Sequence, residues 1–256
     1  MSCPVAIVTG GAHNIGRAIV LRLAEKGYDI AVVSPEADDV QVVSLEVKSL
    51  GRRSLPLQVD VSREDHVQHM VRKTIAEMGG VDLLVNNAAI FGPVAPVGRV
   101  ERNDWDRVLS VNLTGAFLCC KAVLPLMIER RRGKIVNMSS TVAKKAHPLG
   151  APYAVSKAGL VSLTQTLAKE VGTHNIQVNA ICAGPVEGDR LREWIDRNGE
   201  HTGQAPETIE AGMKSASALG RFTRPEDIAD TVLFLASPAG DNITGQTIDI
   251  TAGYGL

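Results

Sequence analysis

A glycine-rich segment near the start of the chain, TGGAHNIG at positions 9–16, lies between two stretches with different periodicities. The residues before it, Val5–Val8, form a short β-branched run that is typical of a strand. Those after it repeat apolar side chains at helical spacing, at Ile19, Val20, Leu23 and Ala24. Glycines let the backbone approach a pyrophosphate closely, and a helix N-terminus supplies free N–H groups and positive potential. A strand, a glycine-rich turn and a helix in this order predict a dinucleotide-binding unit.

Strand-like and helical patterns alternate along the rest of the chain. The further strand-like segments are Asp29–Val33, Ser54–Val59, Val81–Val85, Ile135–Met138, Gln177–Cys182 and Thr247–Ile250. Helical patterns separate them, including a long apolar one from Trp105 to Met127. This alternation predicts an α/β fold with a doubly wound, Rossmann-like parallel sheet covered by helices on both faces. With 256 residues and no linker or repeat, we expect a single dinucleotide-binding and catalytic domain over 1–256.

One segment, residues 187–219, interrupts the alternation. Two short amphipathic helices are predicted within it, one around Leu191, Trp194 and Ile195 and the other around Ile209 and Met213. The segment follows a strand end, and ligands of open α/β sheets bind at strand ends, so we interpret it as a small substrate lid. The alternative is a surface excursion packed on the core.

Composition and charge narrow the classes of partner. The formal net charge is −1 and the pI about 6.6, which favours a small-molecule substrate over nucleic acid or an anionic membrane surface. The four cysteines have no C-x-x-C spacing, so we expect neither a metal site nor a disulfide framework, and a cytoplasmic protein. The apolar runs predict no membrane span, and the strand-like run close to Met1 leaves little room for a signal peptide.

Residues 139–157, SSTVAKKAHPLGAPYAVSK, contain groups able to move a proton. Tyr153 and Lys157 share one helical face if Pro152 lies in the first turn. We expect the ammonium to lower the pKa of the phenol from about 10, which would make the tyrosine a useful proton carrier. Ser140 could donate a hydrogen bond to an oxygen that gains charge in the transition state. The tyrosine–lysine spacing also occurs by chance, so this stretch alone leaves a non-catalytic interpretation open.

The end of the second predicted strand bears on the choice of cofactor. Ser34 supplies neither the acid that binds ribose hydroxyls in many dinucleotide folds nor the arginine that accepts a 2′-phosphate. Glu36 and the two aspartates after it would repel such a phosphate, whereas His13 and Arg17 would attract one. The sequence therefore leaves NAD and NADP open and favours NAD.

In their order and spacing these segments resemble the short-chain dehydrogenase/reductase family in its compact one-domain form. The resemblance runs from Val5 to Gly253 and rests on TGGAHNIG, Asp60-Val61, NNAA, Asn112, Ser140, YAVSK, AGPVEG and TGQTIDITAG. It implies an oxidoreductase that uses NAD or NADP to interconvert a secondary alcohol and a ketone or aldehyde by hydride transfer. It also implies a homotetramer or homodimer, with the long helices starting near Asp104 and Tyr153 as candidate interface elements.

The resemblance implies four catalytic residues. Tyr153 would be the general acid/base, Lys157 would lower its pKa and hold the nicotinamide ribose, and Ser140 would polarise the substrate oxygen. Asn112 would hold a water that joins the lysine to solvent. The cofactor-binding residues that it implies are Gly10, His13, Asn14, Ile15, Gly16, Ser34, Asp60, Val61, Asn87, Ala88, Tyr153, Lys157, Gly184, Pro185 and Val186.

Four positions depart from the family's pattern. The middle glycine of the turn is Asn14, a residue type that tolerates left-handed backbone better than most. The last glycine of the NNAG-like motif is Ala89, and the proline before Gly184 is Ala183. The threonine that often bonds the nicotinamide carboxamide is Gly188, which leaves the orientation of the nicotinamide open.

The sequence says less about the identity of the substrate than about the type of reaction. Our first expectation is a small polar molecule such as a sugar, a polyol or a hydroxy acid. Basic residues near the site mouth and on the lid would suit an anionic one: Lys144, Lys145, His147, Arg190 and Arg192. The alternative is a 3-oxoacyl-[acyl-carrier-protein] reductase that docks its acidic carrier on Arg130–Arg132, although His174 replaces a second arginine that such reductases tend to carry. A remote alternative is a non-catalytic nucleotide-binding sensor, which the presence of Ser140, Tyr153 and Lys157 disfavours.

Overall fold

The computed structural model describes residues 3–145 and 148–256. In these residues seven parallel strands form one sheet in the order β3-β2-β1-β4-β5-β6-β7. The strands are Val5–Thr9 (β1), Asp29–Ser34 (β2), Ser54–Gln58 (β3), Leu83–Asn86 (β4), Gly133–Ser140 (β5), Ile176–Ala183 (β6) and Thr247–Ile250 (β7). The predicted strands are therefore confirmed, with ends that differ by up to two residues.

Helices cover both faces of this sheet. They are Asn14–Glu25 (α1), Ala37–Ser49 (α2), Glu64–Met78 (α3), Arg102–Leu109 (α4), Gly115–Arg130 (α5), Ala151–Val171 (α6), Asp189–Thr202 (α7), Pro206–Ser215 (α8) and Pro225–Ala236 (α9). Successive side chains of a strand point to opposite faces, so Ile7 packs with α3, α5 and α6 while Val8 packs with α1, α2 and α9. The fold is the predicted Rossmann-like, doubly wound α/β fold.

The strand order reverses between β1 and β4. From β1 the chain moves outward to β2 and β3, then returns to β4 and continues through β5, β6 and β7 in the opposite direction. Because all strands are parallel, their carboxyl ends meet at one edge, and a crevice opens where the order reverses. The turn after β1 and the segment after β4 therefore face each other.

The long predicted helix contains an irregular turn. Residues Ser110–Thr114 are π-helical and join α4 to α5, so that helical backbone runs from Arg102 to Arg130. A π-helical turn inserts an extra residue and is frequent at functional sites. Asn112 lies in this turn and is 1% exposed.

The run Arg102–Arg130 is long and apolar enough to cross a membrane by length and composition alone. In this fold 44% of its most apolar window is buried. Leu118, Cys119 and Val123 from this run belong to the core between the sheet and its helices. Packing against the sheet is sufficient to explain the apolar composition.

The segment 187–219 forms the two predicted short helices, α7 and α8. Ile195 of α7 is 4% exposed, whereas α8 contains no buried residue. Its description as a lid remains a prediction.

Candidate active site

A cleft of about 590 Å³ lies at the carboxyl edge of the sheet. Its walls come from the turn after β1, the ends of β2 to β6, the start of α6 and the start of α7. The residues predicted from the sequence that line it are Gly10, His13, Asn14, Ile15, Gly16, Ser34, Asp60, Val61, Asn87, Ala88, Ser140, Tyr153, Lys157, Gly184, Pro185 and Val186. The fold thus brings together residues that are up to about 180 positions apart in sequence.

The glycine-rich turn packs directly against the end of β4. A Cβ on Gly16 would lie 1.9 Å from the carbonyl oxygen of Gly10 and 2.7 Å from Asn87 Nδ2. Asn87 Nδ2 donates to the carbonyls of Thr9 and Gly10 at 3.1 and 3.0 Å, and Thr9 Oγ1 accepts the Asn87 N–H at 3.0 Å. These bonds hold the turn at the N-terminus of α1. A close backbone approach to an anionic group at a helix N-terminus is what a dinucleotide's pyrophosphate requires, so this part of the cleft fits that group.

The far end of the cleft carries acidic groups. Ser34 Oγ donates to the Glu36 carboxylate at 2.5 Å, which holds that carboxylate beside the end of β2. Asp60 accepts bonds from the backbone and hydroxyl of Ser62 at 2.9 and 2.7 Å. His13 Nε2 lies 3.1 Å from an Asp39 oxygen. The ligand atoms of His13, Glu36 and Asp39 lie within 4.8 Å of one another at an exposed or half-buried position, and the expectation of no metal site stays a prediction.

Tyr153 lies in the wall opposite the glycine-rich turn, at the start of α6. Its ring packs against Phe91, with centroids 5.0 Å apart and planes at 51°. Burial raises the pKa of Tyr153 to about 12, against the nearby Ser140 hydroxyl and the charge of Arg190, which both lower it. This pKa lies above 10, contrary to the expectation that Lys157 lowers it, because desolvation of the phenolate outweighs the stabilising groups.

Lys157 is 3% exposed and lies beneath the tyrosine. Its Nζ donates to the carbonyl of Met138 at 2.7 Å and lies 5.5 Å from the centroid of the Tyr153 ring. Burial, followed by the charge of Arg190, lowers the pKa of Lys157 to about 7. The lysine backbone is fixed as well, because its carbonyl accepts the Ser139 hydroxyl at 2.9 Å.

Asn112 lies behind the cleft wall, where it connects two parts of the site. Its Oδ1 accepts the Ile90 N–H at 2.8 Å, and its Nδ2 donates to the Ile90 carbonyl at 2.9 Å and to Ser156 Oγ at 3.0 Å. Ser156 Oγ donates in turn to the carbonyl of Tyr153 at 2.7 Å. The side chain of Asn112 thus ties the segment after β4 to the helix that carries Tyr153 and Lys157.

The basic residues expected near the mouth differ in their surroundings. Arg190 lines the cleft from α7, and its Nη1 donates to the carbonyl of Ala89 at 2.6 Å across the groove. Lys144 pairs with Asp249 at 2.5 Å, so its charge is already matched. Lys145 and Arg192 are exposed, and His147 lies outside the described residues.

The three arginines considered for a carrier protein lie elsewhere. Arg130–Arg132 directly precede β5 and His174 precedes β6, so they lie at the amino ends of the strands. Arg130 donates to the carbonyl of Gly79 at 2.8 Å and Arg131 to that of Thr173 at 2.8 Å. Within a single chain a carrier docked on Arg130–Arg132 would therefore not lie beside the cleft mouth, because the cleft is at the opposite edge of the sheet.

Sequence reasoning missed several residues of the site. Phe91 packs on the tyrosine, Ser156 links Asn112 to α6, and Trp194 and Tyr254 line the cleft. Glu36 and Arg190 were considered for charge alone and not as lining residues. Phe91 had a usable signal, since it follows NNAA at a strand end; the others are set by tertiary packing.

The chain matches a protein-family model described as enoyl-(acyl carrier protein) reductase over residues 10–255. It is 39% identical over 252 residues to a short-chain dehydrogenase/reductase of Armillaria gallica, covering 97% of this chain and 95% of that protein. The chain belongs to the short-chain dehydrogenase/reductase family. It is thus an oxidoreductase of a family that acts on CH–OH groups with NAD or NADP.

Other members of the short-chain dehydrogenase/reductase family are similar over the full length. The chain is 37% identical to the 3-oxoacyl-[acyl-carrier-protein] reductase FabG of Staphylococcus epidermidis, over 97% of each chain. The structure of an NAD⁺-bound xylitol dehydrogenase is similar with a TM-score of 0.96 and 32% identity, covering 98% of this chain and 99% of that one. A levodione reductase has a TM-score of 0.94 and 27% identity, covering 99% and 98%.

Proposed function

We propose that this protein is an NAD-dependent dehydrogenase or carbonyl reductase for a small polar substrate, with Tyr153 as its proton carrier. The observation that carries the proposal is that Ser140 and Tyr153 lie together in the wall of a cleft whose glycine-rich turn fits a dinucleotide. Two hydroxyls at one point can bind a single substrate oxygen, one of them polarising it while the other transfers the proton.

A nicotinamide bound in the cleft would supply the site that accepts or donates a hydride. In the alcohol-oxidising direction, Tyr153 takes the hydroxyl proton as the substrate carbon loses its hydride; in the reducing direction it returns that proton to the carbonyl oxygen. Ser140 donates to the same oxygen while negative charge develops on it. Asn112 positions the helix that carries the tyrosine, and its expected role in holding a water stays a prediction.

Lys157 has two roles in this proposal. Its ammonium favours the phenolate form of Tyr153 when the site is loaded, and its N–H groups beyond the Met138 bond are available to ribose hydroxyls. With a pKa near 7, the lysine can itself exchange a proton at neutral pH. The remaining predicted residues, from Gly10 to Val186, would bind the dinucleotide along the cleft.

The preference for NAD is supported by Glu36. Ser34 holds the Glu36 carboxylate at the end of β2, where it can accept hydrogen bonds from ribose hydroxyls. A 2′-phosphate at this position would meet a negative charge. His13 offers little compensation, because it lies 3.1 Å from Asp39.

Arg190 is the cation that supports an anionic substrate. It lines the cleft, and its charge lowers the pKa of both Tyr153 and Lys157, so it acts at the reactive end. Arg190→Ala should reduce kcat/KM for hydroxy-acid substrates much more than that for neutral polyols, which lose only its effect on Tyr153 and Lys157. Arg192→Ala, an exposed arginine on the same helix, is the matched control.

Tyr153→Phe tests the central claim. Removal of a general acid/base lowers kcat by roughly 10²–10⁴-fold, whereas NADH affinity should stay within about twofold of the wild-type value. Ser140→Ala should lower kcat in the same way. Turnover that survives Tyr153→Phe would show that another group carries the proton. A panel of polyols, sugars and hydroxy acids with NAD⁺ would identify the substrate class.

A 3-oxoacyl-[acyl-carrier-protein] reductase is the second candidate, favoured by the 37% identity to FabG. Against it, Arg130–Arg132 lie away from the cleft in a single chain. Comparing turnover of a carrier-linked 3-oxoacyl thioester with that of the polyol panel separates the two candidates. The remote sensor alternative predicts no cofactor reduction with any secondary alcohol, even at high pH.

Assembly and location belong to the same proposal. Phe117 of α5 and Val155 of α6 are 46% and 45% exposed, which supports a homotetramer or homodimer that buries these helices. Sedimentation velocity tests this assembly. The four cysteines are free, which is compatible with a cytoplasmic protein.

A further inference from the structure

Two of the departures from the family's pattern occupy a single volume. Asn14 begins α1, and its side chain lies against Gly188, the residue before α7. A Cβ added to Gly188 would lie 2.1 Å from Asn14 Nδ2 and 2.8 Å from its Cγ. Those distances are far inside van der Waals contact, so a side chain at position 188 and the present conformation of Asn14 exclude each other.

Asn14 is unfavourable for folding in two respects. Its backbone has a φ of 40°, a left-handed value that glycine adopts more readily. Its Oδ1 is buried and has no hydrogen-bond partner among the described residues. Buried unpaired acceptors are uncommon in folded proteins and call for a functional explanation. Asn14 also lines the cleft, so the missing partner can be a bound molecule.

The position of Gly188 indicates which end of the cofactor is near. Arg190, two residues further along, donates to the carbonyl of Ala89 at 2.6 Å, and Phe91 of that same segment packs on Tyr153, so the start of α7 lies at the reactive end of the cleft. The unpaired atom is an acceptor and needs a donor. A phosphate has no proton to donate at neutral pH, whereas the carboxamide NH₂ of a nicotinamide has two.

We propose that the Asn14 side chain binds the nicotinamide end of the cofactor, with Oδ1 accepting a hydrogen bond from the carboxamide NH₂. Gly188 is then required, because the amide of Asn14 fills the space that a side chain would need. Gly188, before α7, has no side chain with which to make a polar contact to the cofactor. Asn14, at the start of α1, supplies that contact instead. This inference rests on the proposed function, in that a nicotinamide dinucleotide occupies the cleft.

Asn14→Gly tests the contact through binding alone. We expect its affinity for NADH, measured by fluorescence titration, to fall by roughly three- to tenfold, the value of one hydrogen bond. Its affinity for ADP-ribose, which lacks the nicotinamide, should equal that of the wild type. Its melting temperature without ligand should not fall, because glycine adopts the left-handed backbone and the unpaired oxygen is gone. A purely structural role for Asn14 predicts the opposite: a lower melting temperature and equal losses for both ligands.

An analogue identifies the atom involved. In 3-acetylpyridine adenine dinucleotide a methyl ketone replaces the carboxamide, so the NH₂ donor is absent. The wild type should bind it several-fold more weakly than NAD⁺, and Asn14→Gly should bind the two alike. If both chains show the same ratio, the carboxamide is not the partner and the proposal fails.

The steric conflict between Asn14 and a side chain at position 188 can be tested without a cofactor. Gly188→Ala is made in the wild type and in Asn14→Gly, so that the strain of alanine at a φ of 137° is common to both. The melting temperature should drop further in the wild-type background, and equal drops would overturn the inference. A wild-type chain that binds neither NADH nor NADPH would remove the proposed function together with this inference. If the wild type binds NADH and Asn14→Gly binds it with the same affinity, this inference alone fails.

Discussion

Lys157 donates a hydrogen bond to the carbonyl of Met138 at 2.7 Å, with its nitrogen 5.5 Å from the centre of the Tyr153 ring. The amine is thus fixed between β5 and the tyrosine rather than free to choose a partner. Burial is the main reason that its pKa falls to about 7 and that the pKa of Tyr153 rises to about 12. Both groups are displaced toward their neutral forms, which is the expected effect of a poorly solvated site.

The low pKa of Lys157 predicts a pH dependence of stability. Between about pH 7 and 10.5 the folded chain binds fewer protons at this group than the unfolded chain, so the free energy of unfolding should rise with pH. The contribution is at most about 1.4 kcal/mol per pH unit. Lys157→Met should remove this rise, and Lys169→Met, exposed on the same helix, should retain it. Urea unfolding at several pH values measures both; parallel profiles for Lys157→Met and wild type would contradict the prediction.

Gly16→Ala should abolish dinucleotide binding and destabilise the fold. The added Cβ would lie 1.9 Å from the Gly10 carbonyl oxygen, so the turn must move away from Asn87. Overpacking of this kind costs about 1–3 kcal/mol. Gly172→Ala is the control, because its φ is −58° and a Cβ there meets no atom within 4 Å. Thermal unfolding with and without NADH reports both effects, and a ligand-induced shift in Gly16→Ala equal to that of the wild type would count against the site.

Asn112→Leu should destabilise the chain by about 1–3 kcal/mol, because it leaves the half-buried N–H and carbonyl of Ile90 without their partner. It should also lower kcat, since the segment that carries Phe91 packs on Tyr153. Ser156→Ala keeps both Ile90 bonds and should cost only about 1 kcal/mol. Chemical denaturation distinguishes these values. Equal stability losses in the two variants would mean that the Ile90 bonds are not the important ones.

Glu36→Gln should narrow the preference for NADH over NADPH by roughly tenfold, because the charge that opposes a 2′-phosphate is removed. Asp38→Asn makes the same change of charge on a neighbouring exposed residue that does not line the cleft, and should leave the preference unchanged. The ratio of the two dissociation constants is the measurement. A wild type that already prefers NADPH would refute the assignment of NAD.

The fold could be predicted because strand-like and helical periodicities alternate clearly, and the glycine-rich turn identifies the first unit. The residues of the cleft could be predicted where a strand end or a motif marks them, as at Asn87 and Tyr153. The pKa values of the site residues could not be predicted. The spacing of Tyr153 and Lys157 is visible in the sequence, but the depth of burial that raises one pKa and lowers the other depends on packing with β5 and Phe91.

The same limit applies to residues joined only by tertiary structure. Asn112 is conspicuous as an amide in an apolar helix, yet nothing local indicates the π-helical turn or the pairing with Ile90. Arg130–Arg132 form an obvious basic run, but only the strand direction shows which edge of the sheet they occupy. The contact between Asn14 and Gly188 joins positions 174 apart and leaves no signal in a single sequence.

The walls of the cleft include residues from Gly10 to Tyr254, so the pocket is complete only after segments far apart in sequence have packed on one sheet. Ligand binding and folding of the sheet are therefore coupled, because a molecule that binds only the assembled pocket stabilises every strand that contributes to it. A proteolytic nick between β6 and β7 would leave most of the sheet in place and yet produce a chain with a defective binding pocket.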